Sequence, residues 1–129
     1  MKMRIKGNSV RMRVTKSDMD KFAETGLVEE TTEFGTATLT YAMQRSNADN
    51  MYATFTDSTL TIFMPAAKAD EWARTEKVGY EHNMDLGDGK KLYLLLEKDF
   101  KCLDETHEDQ SDNYENPAAI LYNMNLQNK

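Results

Sequence analysis

Apolar and polar residues alternate along the first fourteen positions, which read MKMRIK, then Gly7-Asn8, then SVRMRV. A period of two is typical of a β-strand with one buried and one exposed face, and a Gly-Asn pair favours a tight hairpin turn. The pattern therefore predicts a β-hairpin over residues 1–14. Its predicted inward side chains are Met1, Met3, Ile5, Val10, Met12 and Val14. Its predicted outward cations are Lys2, Arg4, Lys6, Arg11 and Arg13.

A second hairpin is predicted around Asp57-Ser58 by the same alternation. The side chains expected to face inward are Met51, Ala53, Phe55, Leu60, Ile62 and Met64. Those expected to face outward are Tyr52, Thr54, Thr56, Thr61 and Phe63. Because none of these outward residues is charged, only the first hairpin carries a cationic face.

A short amphipathic helix is predicted after each hairpin. Thr15 or Ser17 can cap the first helix, and Gly26 favours its end. Pro65 favours the start of the second helix, since proline fits the first turn. Both helices are about three turns long at most, so they need to pack an apolar stripe against a sheet.

An internal repeat appears at a shift of 50 residues, where segment 9–34 aligns with segment 59–84 without gaps. The identical pairs are Asp20 and Asp70, Ala23 and Ala73, Thr25 and Thr75, and Val28 and Val78. Two more strand-like runs follow each predicted helix, at 27–34 and 36–44 and again at 77–86 and 90–100. The repeated unit is thus β-β-α-β-β, explained either by duplication or by convergent patterning of two similar units.

These elements predict an α+β domain of about eight mostly antiparallel strands and two short helices. The two β-β-α-β-β units, at 1–50 and 51–103, would share one sheet or close into a barrel around a pseudo-twofold axis. The continuous apolar run from Leu92 to Leu96 predicts a central strand that is buried on both faces. Residues 104–129 would form an acidic C-terminal tail that could include a short helix.

Length and charge narrow the functional classes. A chain of 129 residues fits one domain, and its net charge of −6 argues against a general nucleic-acid binder. The first sixteen residues contain no acid, whereas six of the 22 acids lie between Asp104 and Glu115. No apolar run is long enough to span a membrane, so no membrane contact is expected. The single cysteine, Cys102, fits a reducing compartment, and the expected location is the cytoplasm.

The acidic tail contains weak candidates for a metal site, which are Asp104, Glu108, Asp109 and Asp112. Counted from Asp104, several carboxylates fall at the ligand positions of an EF-hand calcium loop. However, Asp109 occupies the sixth position, where the sharp turn of that loop requires glycine. The alternatives are a solvated connector and a displaceable cover that folds over the basic hairpin face. No cofactor is expected.

The basic hairpin face supports two functional hypotheses. The first is a small non-catalytic binding or regulatory module that recognises an acidic protein or another anionic partner. The second is a phosphate- or polyphosphate-binding domain, or a metal-dependent phosphohydrolase, in which Glu97, Asp99 or tail carboxylates hold magnesium. A third interpretation is an ordinary solvated edge whose charges prevent unwanted strand pairing. The sequence leaves open whether the protein is an enzyme.

The stretch MRIKGNSVRMRVTKSDMDKFAETG, with LEKDF and DQSDNYENP further on, resembles a family of small bacterial proteins described only as a domain of unknown function. This resemblance covers 1–117 and implies a shared architecture without a known activity. The duplicated strands with a Lys- and Arg-rich face are also similar at fold level to the CYTH-type triphosphate tunnel enzymes. That family carries E-x-E-x-K on its first strand, and this chain has KMRIK there, so the metal-binding acids are missing. The second resemblance therefore implies anion binding more than catalysis.

Overall fold

A computed structural model describes residues 1–101 and 110–115, which form eight strands and two helices. The elements are β1 (Lys2–Ile5), β2 (Ser9–Val14), α1 (Lys16–Thr25), β3 (Leu27–Glu33), β4 (Thr38–Ser46), β5 (Tyr52–Thr56), β6 (Thr59–Pro65), α2 (Ala66–Arg74), β7 (Gly79–Gly87) and β8 (Lys90–Lys98). The predicted α+β class, the eight strands and the element order β-β-α-β-β in each half are confirmed.

The strands form two separate four-stranded mixed sheets, in the orders β1-β2-β8-β7 and β3-β4-β6-β5. Each hairpin is antiparallel, whereas β2 pairs with β8 and β4 pairs with β6 in parallel. Each sheet therefore combines the first hairpin of one half with the second hairpin of the other. The sequence predicted one shared sheet or a closed barrel, and that prediction is wrong because the strands form two separate sheets.

The edges of the two sheets approach each other through contacts between main-chain nitrogens and side chains. The amino group of Met1 donates a hydrogen bond to Glu30 of β3 at 2.7 Å, beside β1. On the other side, the amide of Ala53 in β5 lies 3.4 Å from the sulfur of Met84 in β7. Within the part of the chain that the structure describes, no strand ladder joins these edges, so the barrel stays open.

The two predicted hairpin turns adopt the backbone that their residues favour. Gly7 has a φ of 53°, and Asp57 and Ser58 have φ values of 52° and 58°. Positive φ at both central residues, as at Asp57 and Ser58, is typical of a type I′ turn, whereas the first turn has positive φ at Gly7 and not at Asn8, which is typical of type II′. Both turn types match the twist of paired strands. The resulting registers are equivalent, since Lys2 pairs with Arg13 and Tyr52, fifty positions later, pairs with Phe63.

Helix α1 begins and ends where the sequence predicts, and helix α2 begins where the sequence predicts. Thr15 caps α1 in a reciprocal capping box with Asp18, and Gly26 ends the helix at a φ of 76°. α2 starts directly after Pro65. The rings of Phe22 and Trp72 meet edge to face at 6.5 Å, which packs the two helices against each other in the core.

One hydrophobic core draws on both sheets and both helices. Its fully buried side chains include Met12, Ile62 and Trp72. The prediction that Ile5 and Phe55 are buried in the core is wrong, because Ile5 is 59% exposed and Phe55 is 66% exposed. Both lie on the inward register but next to their hairpin turns, beyond the end of the packed core.

Strand β8 occupies the predicted central position in its sheet, between β2 and β7. Leu94 and Leu96 are completely buried, as expected for the inward face. Leu95, however, is only half-buried on the outer face. The prediction of burial on both faces is therefore wrong, because no element among residues 1–101 and 110–115 covers the outer face as fully as the core covers the inner one.

Candidate functional site

The β1–β2 hairpin displays its cations on the outer face of the first sheet. Because the strands alternate and pair in register, Lys2 lies opposite Arg13 and Arg4 lies opposite Arg11. Lys6 follows at the turn. Arg11 is half-buried and the other four cations are exposed, so all five charges can reach a ligand from one side. The structure thus brings together the five residues that the sequence predicted.

Two adjoining depressions lie on this basic hairpin face. The first has a volume of about 210 Å³ and is lined by Lys2, Met3, Arg4, Arg11 and Arg13. The second has a volume of about 270 Å³ and is lined by Arg4, Lys6, Ser9 and Arg11. Since Arg4 and Arg11 line both, the depressions form one elongated trough in which these two arginines lie where the depressions meet.

Carboxylates from the end of β8 hold the outer cations of this trough. Arg13 donates from Nε to Oε1 of Glu97 at 2.8 Å. Lys2 Nζ lies 3.2 Å from Oδ2 of Asp99, a side chain buried at 4% exposure. No described residue donates a hydrogen bond to that oxygen in good geometry, so the contact with Lys2 rests on charge. Glu97 and Asp99 therefore fix the position of the cations.

The inner cations, Arg4, Lys6 and Arg11, form no ion pair with any residue of 1–101 or 110–115. Arg4 and Arg11 are also directly opposite each other, and like charges in that position destabilise a hairpin. The sequence therefore maintains a repulsive pair without a compensating carboxylate among the described residues. This arrangement leaves several guanidinium donors available to an anion from outside.

Two carboxylates on the neighbouring strands, Glu81 of β7 and Glu97 of β8, form an acidic strip beside the trough. Tyr93 donates a hydrogen bond to Oε2 of Glu81 on the same outer face. This hydrogen bond raises the pKa of Tyr93, whereas the positive charge of Arg11 acts in the opposite direction. Sequence reasoning missed this strip because it depends on the parallel pairing of β2 with β8, which brings together residues more than eighty positions apart.

The tail carboxylates predicted as metal ligands are only partly described. Asp104, Glu108 and Asp109 lie outside the described residues. Asp112 lies at the N-terminus of α1, where its Oδ1 accepts a hydrogen bond from the Ser17 hydroxyl at 2.9 Å and its carbonyl accepts one from the Lys16 amide at 3.0 Å. Hydrogen bonds from Thr15 and then Ser17 lower the pKa of Asp112. Its observed role is helix capping.

A group of three or more His, Cys, Asp or Glu side chains suited to a metal ion is absent from residues 1–101 and 110–115. Glu97 and Asp99, the carboxylates proposed for magnesium, contact Arg13 and Lys2 instead. The described part of the chain therefore offers anion-binding chemistry at this face without a preformed metal centre.

A buried cation, Lys98, is a further residue that sequence reasoning missed. It ends β8 and is only 5% exposed, beside a separate cavity at the end of the sheet. The signal was its spacing, since Lys98 is in phase with the inward-facing Leu94 and Leu96.

The described residues contain no helix long and apolar enough to cross a membrane. Comparison with curated proteins and with solved structures finds no match, so the likeness to CYTH-type enzymes stays a prediction. One family model, that of a family of unknown function, DUF7009, matches residues 1–118. This match confirms the resemblance drawn from the sequence motifs, and the chain belongs to the DUF7009 family of unknown function.

Proposed function

We propose that the protein is a non-catalytic binding module that recognises an anionic segment of a partner through the basic hairpin face. The observation that carries this proposal is the opposed pair Arg4 and Arg11, which lacks a carboxylate partner among the described residues. A bound anion would convert the repulsion between these two side chains into shared attraction. Pairs that are unfavourable in the free protein are expected at functional sites.

Guanidinium groups suit this role because their planar N–H donors match carboxylate and phosphate oxygens two at a time. Each hydrogen bond to a charged group contributes about 1.5–3 kcal/mol. The trough is elongated, with Lys6 lining one depression and Lys2 lining the other. Its shape fits an extended acidic peptide segment with several negative charges. A phosphate-rich small ligand shares this chemistry and is the second source that the experiment distinguishes.

The second half of the chain supplies an internal comparison. We infer that the two β-β-α-β-β units arose by duplication. The equivalent hairpin registers support this inference, and so does the arrangement of each sheet, which contains one hairpin from each half of the chain. Thr54 and Thr61 are opposed in β5–β6 where Arg4 and Arg11 are opposed in β1–β2. The fold therefore accepts uncharged residues at these positions, and the arginines belong to the function of the first hairpin.

The test is calorimetric titration of the protein with an acidic peptide such as oligoglutamate and with tripolyphosphate, at low and high salt. Replacing both arginines, as in the double variant Arg4→Gln and Arg11→Gln, is expected to weaken binding by at least about tenfold. The matched control is Lys21→Gln with Arg74→Gln, which removes the same charge from the two helices. Equal affinity of the two double variants would overturn the proposal.

The two ligands separate the possible sources of the anion. Tighter binding of oligoglutamate supports a protein partner, whereas tighter binding of tripolyphosphate assigns the trough to a phosphate-rich ligand. A phosphohydrolase would in addition release phosphate in the presence of magnesium or manganese. Its remaining metal candidates, Asp104, Glu108 and Asp109, lie outside the described residues, and no described contact favours this activity.

A further inference from the structure

Lys98 is a buried cation at the end of β8, away from the basic hairpin face. Its ammonium group donates a hydrogen bond to the carbonyl of Thr75 at 2.7 Å. Thr75 is the C-cap residue of α2, where helix carbonyls favour a positive charge. This contact explains how the side chain is anchored, but it uses only one of the three donors of the ammonium group.

Among the described residues, the rest of the ammonium group has no charged partner. Lys98 forms no ion pair with the residues of 1–101 and 110–115, and the ring centroid of Tyr114 lies 5.2 Å from its Nζ. Burial lowers the pKa of Lys98, and the negative charge of Glu76 acts in the opposite direction. A buried charge without a counterion is unfavourable, so a functional reason for keeping it is expected.

A cavity of about 330 Å³ opens beside this ammonium group. Its apolar walls are Val78, which is 45% exposed, and the rings of Phe100 and Tyr114, which meet edge to face at 5.9 Å. An isolated parallel β-bridge pairs the backbones of Phe100 and Tyr114 and so holds their two rings next to each other. The volume lies at the lower end of the range of ligand pockets, about 300–1,000 Å³.

Two carboxylates also line the cavity, and they limit what it can accept. Glu115 is paired with Lys101 at 2.7 Å, so its charge is already balanced. Glu76 contributes a negative charge near Lys98. A ligand with several negative charges would be repelled by Glu76, whereas one with a single negative charge can contact Lys98 while keeping its apolar part against the rings.

We propose that this cavity is a binding site for a small monocarboxylic acid with a flat apolar body, such as an arylalkanoic acid. The carboxylate accepts hydrogen bonds from the two remaining donors of Lys98, and the apolar body packs against Val78, Phe100 and Tyr114. The inference is independent of the basic hairpin face, because it rests on a different cavity and on a different class of ligand.

The first experiment is a heteronuclear NMR titration of the full chain with 3-phenylpropionate and, in parallel, with 2-phenylethylamine. The two compounds share a phenyl ring and differ in the charged group. The acid is expected to shift the amide signals of residues 75–78 and 98–100, and also the indole signal of Trp72, which donates to the carbonyl of Val78 at 3.1 Å. Failure of the acid to bind at millimolar concentration, or equal shifts with the amine, would overturn the assignment.

The second experiment compares Lys98→Gln with Lys90→Gln. The glutamine at 98 keeps an N–H donor for Thr75 and removes the positive charge, while the control removes an exposed lysine at the opposite end of β8. The expected result is at least about tenfold weaker binding of 3-phenylpropionate in the first variant and a change below about threefold in the second. Unchanged affinity in folded Lys98→Gln would refute the proposal. If that variant fails to fold, the acid-against-amine comparison in the wild-type chain decides.

Discussion

Replacing the opposed arginines by threonines is expected to make the protein more stable. The double change Arg4→Thr and Arg11→Thr reproduces the opposed pair Thr54 and Thr61 of the second hairpin. Directly opposed like charges destabilise a strand pair by about 0.2–1 kcal/mol, and threonine also has a high preference for strands. Functional sites often lower the stability of a protein, so a change that removes a binding surface is expected to raise its stability.

The size of the effect follows from the geometry of the pair. Arg4 and Arg11 form no ion pair with a described carboxylate, so most of the cross-strand repulsion is recovered. A gain of about 0.2–1 kcal/mol raises the melting temperature by roughly 1–5 °C in a domain of this size. Either single replacement is expected to give most of the gain, because one change already removes the repulsion.

The assay is urea unfolding at low salt and at 1 M salt. It compares the wild type with both single variants and the double variant. At 1 M the screening length falls to about 3 Å, so the gain should shrink markedly. A loss of stability at low salt would contradict the reasoning. A gain that is fully retained at 1 M salt would show that strand preference, and not charge repulsion, causes the effect.

Three further predictions concern the fold. Ile62→Val should lower the free energy of unfolding by about 0.5–1.5 kcal/mol in urea melts because Ile62 is fully buried, while Ile5→Val, at an exposed position, should change it by less than about 0.5 kcal/mol. Gly79→Ala should cost about 1–3 kcal/mol or more, since the new Cβ would lie 2.1 Å from the carbonyl oxygen of Leu96; a melting temperature equal to wild type would refute this. Asp112→Asn should lower stability at neutral pH, and the difference should vanish as the pH falls. Because folding lowers the pKa of Asp112, its carboxylate stabilises the fold fully above the ordinary pKa of 3.8 and loses this effect as the pH falls through the lower pKa of the folded state. A stability difference between Asp112→Asn and wild type that does not change with pH would contradict this prediction.

The hairpins and helices were predictable from local signals. Alternation set the strand faces, and residues with positive φ at Gly7 and at Asp57-Ser58 set the turns. Thr15 and Gly26 marked the ends of α1 because their capping chemistry is local. The five cations of the basic hairpin face were predictable for the same reason, since a period of two places them on one side.

The assembly of the hairpins was not predictable from such signals. The parallel pairing of β2 with β8 joins Arg13 to Glu97 across the whole chain, and no local pattern encodes which hairpin neighbours which. Exposure of Ile5 was also missed, because alternation predicts the side of a strand but not where the core ends. Lys98 was missed because a lysine after a leucine run looks like a strand end, whereas its phase places it inward.

The most direct measurement is an NMR titration of the wild-type protein with oligoglutamate at low salt, following the backbone amides and the arginine Nε–H signals. We expect the largest shifts on residues 2–6 and 9–13, with the Nε–H signals of Arg4 and Arg11 most affected. The equivalent segment 52–63 of the second hairpin should remain unchanged. Shifts centred elsewhere on the protein, or none at all with either oligoglutamate or tripolyphosphate, would contradict the claim that the basic hairpin face is the binding surface.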